Sequence, residues 1–438
     1  MTAGIRWYWS RLTANYWFYP ALFAILAAAL AQGCVFLDRS GQAEWLGDVE
    51  WLVLARPTGA ADMLQIIATS MITIAATVFS ITIVAVSFAS GTYGPRLLTN
   101  FMEDRGNQLS LATFIGTFVF ALTVLRTVRA EGESAAPGGE VLAGLPGFVP
   151  QLSLLVAYLL AAISIGVLVF FLNHIPSGIR IDNVLHRIGK RLIDEVCATY
   201  PQKGEGDAVA HMPSGSPITA ERTGYVQLID FHAMEEIART AERRVVLSIR
   251  TGDFLHRGLP LAEVCDGECG DALADKLRRC VTVGFARTPA QDPQFLIDEL
   301  VEIGLRALSP GINDPFTAIT ALHWLGAATA ELACRDLVKN IGTEEGEDSR
   351  VFPLPDDFAH YVRRGFGSMR SAVATSPIAS DVMFACLRDV ALTIDSIQRR
   401  QVLFAEGTRL RDQAREALSG PALVEVEQNY NAFARKML

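Results

Sequence analysis

Four stretches of this chain, over 17–37, 63–90, 109–125 and 150–172, contain no charged residue. At 1.5 Å of rise per residue they approach or exceed the roughly 30 Å hydrocarbon core of a bilayer. Lipid offers nothing to satisfy backbone N–H and C=O groups, so such segments fold as helices, and all four read as transmembrane spans. A signal peptide competes for the first, because Arg6 and Arg11 precede it, but Leu37 is followed by Asp38-Arg39 with no small-x-small cleavage site. The second stretch, at 28 residues, is longer than a bilayer requires and should tilt or emerge at one end.

Charge divides the chain the same way. Residues 1–172 carry 18 charged side chains (8 Arg, 10 acids and no Lys), and 173–438 carry 67. An apolar membrane half is joined to an ordinary soluble half. The net charge of −9 gives neither half the basic surface that phosphate neutralisation needs, so nucleic acid is not an expected partner. Loops on one side hold Arg6, Arg11, Arg96, Arg105, Arg180, Arg187, Lys190 and Arg191. Those on the other hold only Arg39, Arg56, Arg126 and Arg129, diluted by eight acids. The positive-inside rule then places both termini in the cytoplasm. Aromatic residues between Trp7 and Tyr19 suit the headgroup layer, and Trp45, Leu46 and Trp51–Leu54 suit a short helix in the outer interface.

No ionisable residue lies in the central part of any span, which argues against a proton relay. The second span is instead rich in hydroxyls. Thr69, Thr73, Thr77, Ser80, Val84 and Ser87 step by 4, 4, 3, 4 and 3, so five hydroxyls share one helix face. Ser110, Thr113, Thr117 and Ala121 repeat the device in the third span. Two readings stand: oligomerised copies present hydroxyl rings to a partly hydrated ion or solute, or the hydroxyls simply let helices pack closely.

After the fourth span, Ile181, Val184, Leu185, Ile188, Leu192 and Val196 predict an amphipathic connecting helix, and 201–220 reads as a Pro/Gly/Ser-rich linker, the two making up 173–218. A β-rich unit is expected over 219–268, with strands at 224–229 and 244–250 flanking a helix at about 231–242. Its segment Gly252-Asp253-Phe254-Leu255-His256-Arg257-Gly258-Leu259-Pro260-Leu261 resembles the hairpin of biotinyl and lipoyl barrel-sandwich domains. No lysine occurs between Lys203 and Lys276, so the resemblance implies a fold and not carrier chemistry. Residues 269–438 read as helical, with helices at 270–285, 292–308, 314–331, 356–374, 377–405 and 406–418. Thr288-Pro289-Ala290-Gln291 matches a capping box, and Asp292-Pro293 and Asp314-Pro315 pair an N-cap with a favoured first helical residue.

The corner Arg306-Ala307-Leu308-Ser309-Pro310-Gly311-Ile312-Asn313-Asp314-Pro315-Phe316-Thr317-Ala318, with the upstream Arg287-Thr288-Pro289-Ala290-Gln291-Asp292-Pro293-Gln294-Phe295 and the four-span front, resembles a bacterial family of integral membrane proteins grouped as a domain of unknown function. The resemblance covers nearly the whole chain. It implies four spans ahead of a large cytoplasmic domain in the bacterial inner membrane, and it brings no activity.

Enzyme signatures such as a nucleophile elbow, Walker loop, dinucleotide fingerprint or HExxH are absent, and enzyme is the weakest class. Cys265, Cys269 and Cys280 lack the paired C-x-x-C spacing of a zinc site, and neither a metal nor a cofactor is expected. His174 sits at a membrane exit, and His323 reads as a core histidine. Arg306, Ser309, Asn313 and Asp314 are ligand or interface candidates, with local capping as the plainer explanation. The expectation is therefore a mainly α, multi-pass protein with a four-helix membrane domain, a small β-rich barrel-like unit and a helical C-terminal part. In function it is expected to be a homo-oligomeric ion channel or passive pathway lined by Thr69, Thr73, Thr77, Ser80 and Ser87, with the cytoplasmic domain as platform or gate. A membrane-anchored sensor or scaffold is the alternative.

Overall fold

A computed structural model describes residues 15–40, 56–94, 104–129, 147–206, 215–339, 341 and 349–437. The expected N-terminal membrane contact before Asn15 and the outer-interface helix near 45–54 lie outside the described residues. The protein is mainly helical and divides into two compact units, Met1–Arg180 and Ile181–Leu438.

The first unit holds four helices, each long and apolar enough to cross a membrane: α1 (Phe18–Arg39), α2 (Pro57–Tyr93), α3 (Arg105–Leu125) and α4 (Gln151–Ile179). Helix α3 is the central one and packs against the other three. Small side chains help here: Gly116 of α3 lies against Phe23 and Ala27 of α1, where an added Cβ would already be in van der Waals contact with both. Inside the bundle Thr117 and Ser164 share a hydrogen bond of 3.0 Å between α3 and α4.

Three spans are longer than expected. Helix α2 begins at Pro57 and runs for 37 residues, about 55 Å. Helix α3 starts at Arg105 rather than 109, because the Asp104 carboxylate caps it by accepting from Gly106 N and Asn107 N. Helix α4 continues past 172, through Pro176, to Ile179. The apolar run marks where lipid contact is possible; caps and packing decide where the helix stops.

Two aspartates fasten the bundle at helix ends. Asp38, at the end of α1, accepts from Leu152 N at 2.9 Å, Ser153 N at 3.1 Å and Ser153 Oγ at 2.7 Å, and so caps α4 from 114 residues away. Asp104 Oδ1 lies 2.9 Å from His174 Nε2. Gly106 makes that approach possible, since a Cβ there would fall 2.6 Å from the imidazole nitrogen.

The second unit opens with α5 (Ile181–Thr199), whose apolar stripe Val184, Leu185, Ile188, Leu192 and Val196 is buried. Two small sheets follow. One has order β1 (Ser216–Thr219), β5 (Pro260–Cys265), β3 (Arg244–Leu247), β7 (Val351–Phe352), and the other β4 (Phe254–Leu255), β2 (Gly224–Ile229), β6 (Val281–Gly284). Helices α6 (Phe231–Thr240) and α7 (Asp271–Arg279) complete the unit around a core that includes Val226, Val245, Leu247, Val264 and Leu277. The remaining helices are α8 (Pro293–Ala307), α9 (Pro315–Ala333), α10 (Phe358–Val362), a single π turn (Arg363–Gly367), α11 (Ser368–Val373), α12 (Pro377–Ala391), α13 (Ile397–Ala417) and α14 (Gly420–Met437). Helix α5 packs on α8 and α9, where Gly189 leaves room for the Trp324 ring.

The sheets draw on more of the chain than 219–268. The helix expected over 270–285 ends at Arg279, and its β-branched tail Val281-Thr282-Val283 pairs with β2. Strand β7 comes from within the helical region and runs parallel to β3. The expected linker is partly structured: Gly204 N donates to Cys334 O at 3.1 Å and Leu337 N to Gly206 O at 2.9 Å, and 216–219 is a strand. The helix expected over 377–405 is interrupted, with Ser396 capping a fresh start at Ile397.

Candidate functional site

Helix α2 has two distinct sides. Ala60, Leu64, Ala68, Met71, Ala75 and Val78 turn into the bundle, and lower down Thr82, Ala85 and Ala89 continue that side. Thr69, Thr73, Thr77, Ser80 and Ser87, the five candidates for a pathway, are all exposed on the other. The bundle does not use them for packing within one chain. Thr73 Oγ1 donates to Thr69 O at 2.7 Å and Thr77 Oγ1 to Thr73 O at 2.9 Å. With their protons bonded to the helix backbone, these hydroxyls present acceptor oxygens outward. Apolar side chains flank the column, among them Ile66, Phe79, Val84 and Phe88.

The 306–318 corner brings its four candidates together, each with a local role. Ser309 Oγ donates to Arg306 O at 2.6 Å, Arg306 pairs with Glu302 at 3.5 Å, and Asn313 holds φ at 51°, a left-handed value that asparagine tolerates. Asp314 caps α9, accepting from Thr317 N at 3.2 Å and Thr317 Oγ1 at 2.6 Å. The same corner leaves Phe316 71 % and Ile312 49 % exposed, which capping does not explain.

The upstream motif plays a different part from the one its spacing predicts. Thr288 caps no helix; its hydroxyl donates to Gln227 O at 3.3 Å, and the Gln291 side chain pairs with both backbone groups of Ile229 at 3.1 and 3.2 Å. Asp292, not Thr288, caps α8. Arg287 binds Asp292 and Asp298, both at 2.6 Å, and Arg364 of the π turn binds Asp298 at 2.7 Å. Burial works against the Asp298 charge, but Arg364 and Arg287 outweigh it and hold its carboxyl below the usual carboxylate range.

Beside this hub, Asp356 is fully buried and receives Arg250 at 2.8 Å, Lys339 at 3.1 Å and the Tyr200 hydroxyl at 2.6 Å. Tyr361 lies 2.7 Å from Tyr200, and burial pushes both phenols up. Sequence reasoning missed this cluster because its members are spread from residue 200 to 364. Only the Arg287–Asp292 spacing within the quoted motif offered a signal. Every charge in it has an opposite charge in contact, so it joins sheets to helices and leaves no reactive group exposed for chemistry.

Uncharacterized proteins of Mycobacterium tuberculosis and Mycobacterium bovis are 30% identical to this chain over 355 residues, a stretch that covers 78% of the chain and 66% of each relative. The chain thus spans just under two thirds of the length of these curated relatives. No solved structure matches it. The family model described as predicted membrane protein (DUF2254) matches residues 13–389, which takes in all four spans, the sheets, the 306–318 corner and the ionic hub. The chain belongs to this family of membrane proteins.

Proposed function

We propose that this membrane protein forms a homo-oligomeric ion channel or passive transport pathway in the bacterial inner membrane, with both termini cytoplasmic. Helix α2 lines the pathway, and residues 181–438 serve as its assembly platform or gate. One observation carries the reading: the hydroxyl column Thr69, Thr73, Thr77, Ser80 and Ser87 lies outside its own bundle. Hydroxyls that packed helices within the chain would face inward, as Thr117 and Ser164 do. Lipid tails offer an outward column no hydrogen-bond partner, whereas copies of α2 around an axis offer hydrated contact at each turn. Outward acceptor oxygens favour a cation as the permeant species. The experiment is conductance of the purified full chain in planar bilayers. Thr73→Leu and Thr77→Leu are expected to reduce flux at least tenfold, and unchanged flux in both removes the hydroxyl face from the mechanism.

The exposed Phe316 and Ile312 favour a second reading of the cytoplasmic unit, in which the Arg306–Asp314 corner is a contact surface for a partner. Under that reading the spans only anchor the chain, and Phe316→Ser abolishes partner binding without touching flux.

A further inference from the structure

The exposed pair Phe316 and Ile312 lies at one end of the second unit, and the register of two helices says which end. Helices α5 and α9 pack side by side. Gly189 faces the Trp324 ring, Cys197 Sγ lies 3.8 Å from Glu331 Oε2, and Arg335, just past the end of α9, donates to Tyr200 O at 3.0 Å. Both sequence numbers rise together through these contacts, so the helices run parallel. Carried back to the first turn of α9, the same step sets Phe316 level with Ile181. Helix α8 runs the other way: its cap Asp292 is within electrostatic reach of Glu195 late in α5, and its last turn leads into the corner.

Ile181 is also where the chain leaves its fourth span. A single residue, Arg180, separates it from Ile179, the last of α4. Whatever the arrangement of the two units, Ile181 therefore stays within about 8 Å of the end of α4. The uncharged run of α4 ends at 172, and residues 173–179 rise only about 10 Å beyond it, a little more than the headgroup layer. Charge suits the same surface, since Arg187, Lys190 and Arg191 are exposed in the first turns of α5 against one acid, Asp182. We infer that the Ile312–Phe316 corner docks on the lipid headgroup layer. The Phe316 ring, 71 % exposed, and Ile312 enter its apolar side, as interfacial anchors do. The α5 cations meet the phosphates of anionic phospholipid, with Arg187 the nearest of them. This names the partner in the contact-surface reading of the corner and rests on that reading. Lipid is favoured over a free protein because covalent linkage to a span keeps it at high effective concentration beside every copy of the corner.

The test places the photo-crosslinker p-benzoylphenylalanine in the full chain, reconstituted in vesicles of phosphatidylglycerol and phosphatidylcholine. Leu392 is the control position. It is 68 % exposed, and its neighbour Thr393 accepts from Cys334 Sγ at 3.5 Å, which puts it at the far end of α9, about 27 Å along the helix from Phe316. Irradiation of the Phe316→p-benzoylphenylalanine chain is expected to add the mass of one phospholipid to the corner peptide, and the Leu392 chain to gain none. Vesicles of phosphatidylcholine alone should lower the Phe316 adduct about threefold. Lipid adducts of equal yield at both positions overturn the inference, and a Phe316 yield unchanged without phosphatidylglycerol overturns its anionic part. A protein adduct at Phe316 with no lipid adduct also overturns it but leaves the contact-surface reading standing. No adduct of either kind removes both.

Discussion

Glu235 is 6 % exposed, and its carboxylate accepts from Arg350 N and Val351 N at 3.0 Å, from Ser349 Oγ at 3.0 Å and from Arg239 Nε at 2.8 Å. One side chain on α6 thereby ties the start of β7 to that helix. Burial works against its charge, yet these donors outweigh it and keep its carboxyl below the usual range. A folded-state value below the unfolded one, about 4.3, means the stabilisation is present above that pH and is lost as pH falls through the folded value. Glu235→Gln should therefore lower stability by roughly 2–3 kcal/mol at pH 7, with the gap to the native protein closing below about pH 4 in urea titrations. His360 gives the opposite end of the scale. Burial, then the nearby Arg250 and Arg364 charges, lower its pKa, so the unfolded chain takes up the proton first and stability declines as pH drops below about 6.5. His360→Gln should flatten the native protein's loss between pH 7 and 5; an unchanged slope would show that the imidazole takes up its proton alike in the folded and unfolded states. Gly252 shows what a motif residue is for: at φ +93°, an added Cβ would lie 2.2 Å from Asp292 Oδ2. The spacing alone marks a turn there, but not that the turn packs against the N-cap of α8.

Each face of α2 was legible from its periodicity, because a helix repeats every 3.6 residues whatever surrounds it. Which face turns inward was not. Both sides are uncharged, and the choice falls to close packing around α3, which favours Ala68, Met71, Ala75 and Val78 over threonines. Cysteine cross-linking in membranes tests this at the level of the helix. Thr73→Cys and Thr77→Cys chains should give disulfide-linked dimers under mild oxidation, and Ala68→Cys and Ala75→Cys chains should not. Dimers from the alanine positions alone would invert the assignment. The helix ends were legible only in part. Asp104 caps α3 through residues two and three positions on, within reach of local reading although the span was expected to start only at 109, whereas Asp38 caps α4 across 114 residues, a partnership no local pattern reveals. Asp38→Ala should cost about 1–2 kcal/mol of thermal stability in detergent, with Asp38→Asn recovering part of it.

The family and the mainly helical architecture behind four spans follow from the chain's order of apolar and charged segments, since lipid permits little else of such stretches. The hydroxyl column, the 306–318 corner and most helices of the second unit likewise come from local spacing, which holds before any tertiary contact forms. Long-range contact settled the rest. Strand β7 is held by the Val351–Val245 register with β3 and by Glu235 of α6, and two strand-prone residues are too short a run to read as a strand from sequence. The Arg287, Asp292, Asp298 and Arg364 hub links β-unit and helices through residues that look like surface charges when taken singly. Asp104 and His174, 70 residues apart, meet only because α3 and α4 pack side by side. Local propensity sets what each segment becomes; which buried polar atoms lack partners is fixed only when all segments have packed, because that depends on every neighbour at once.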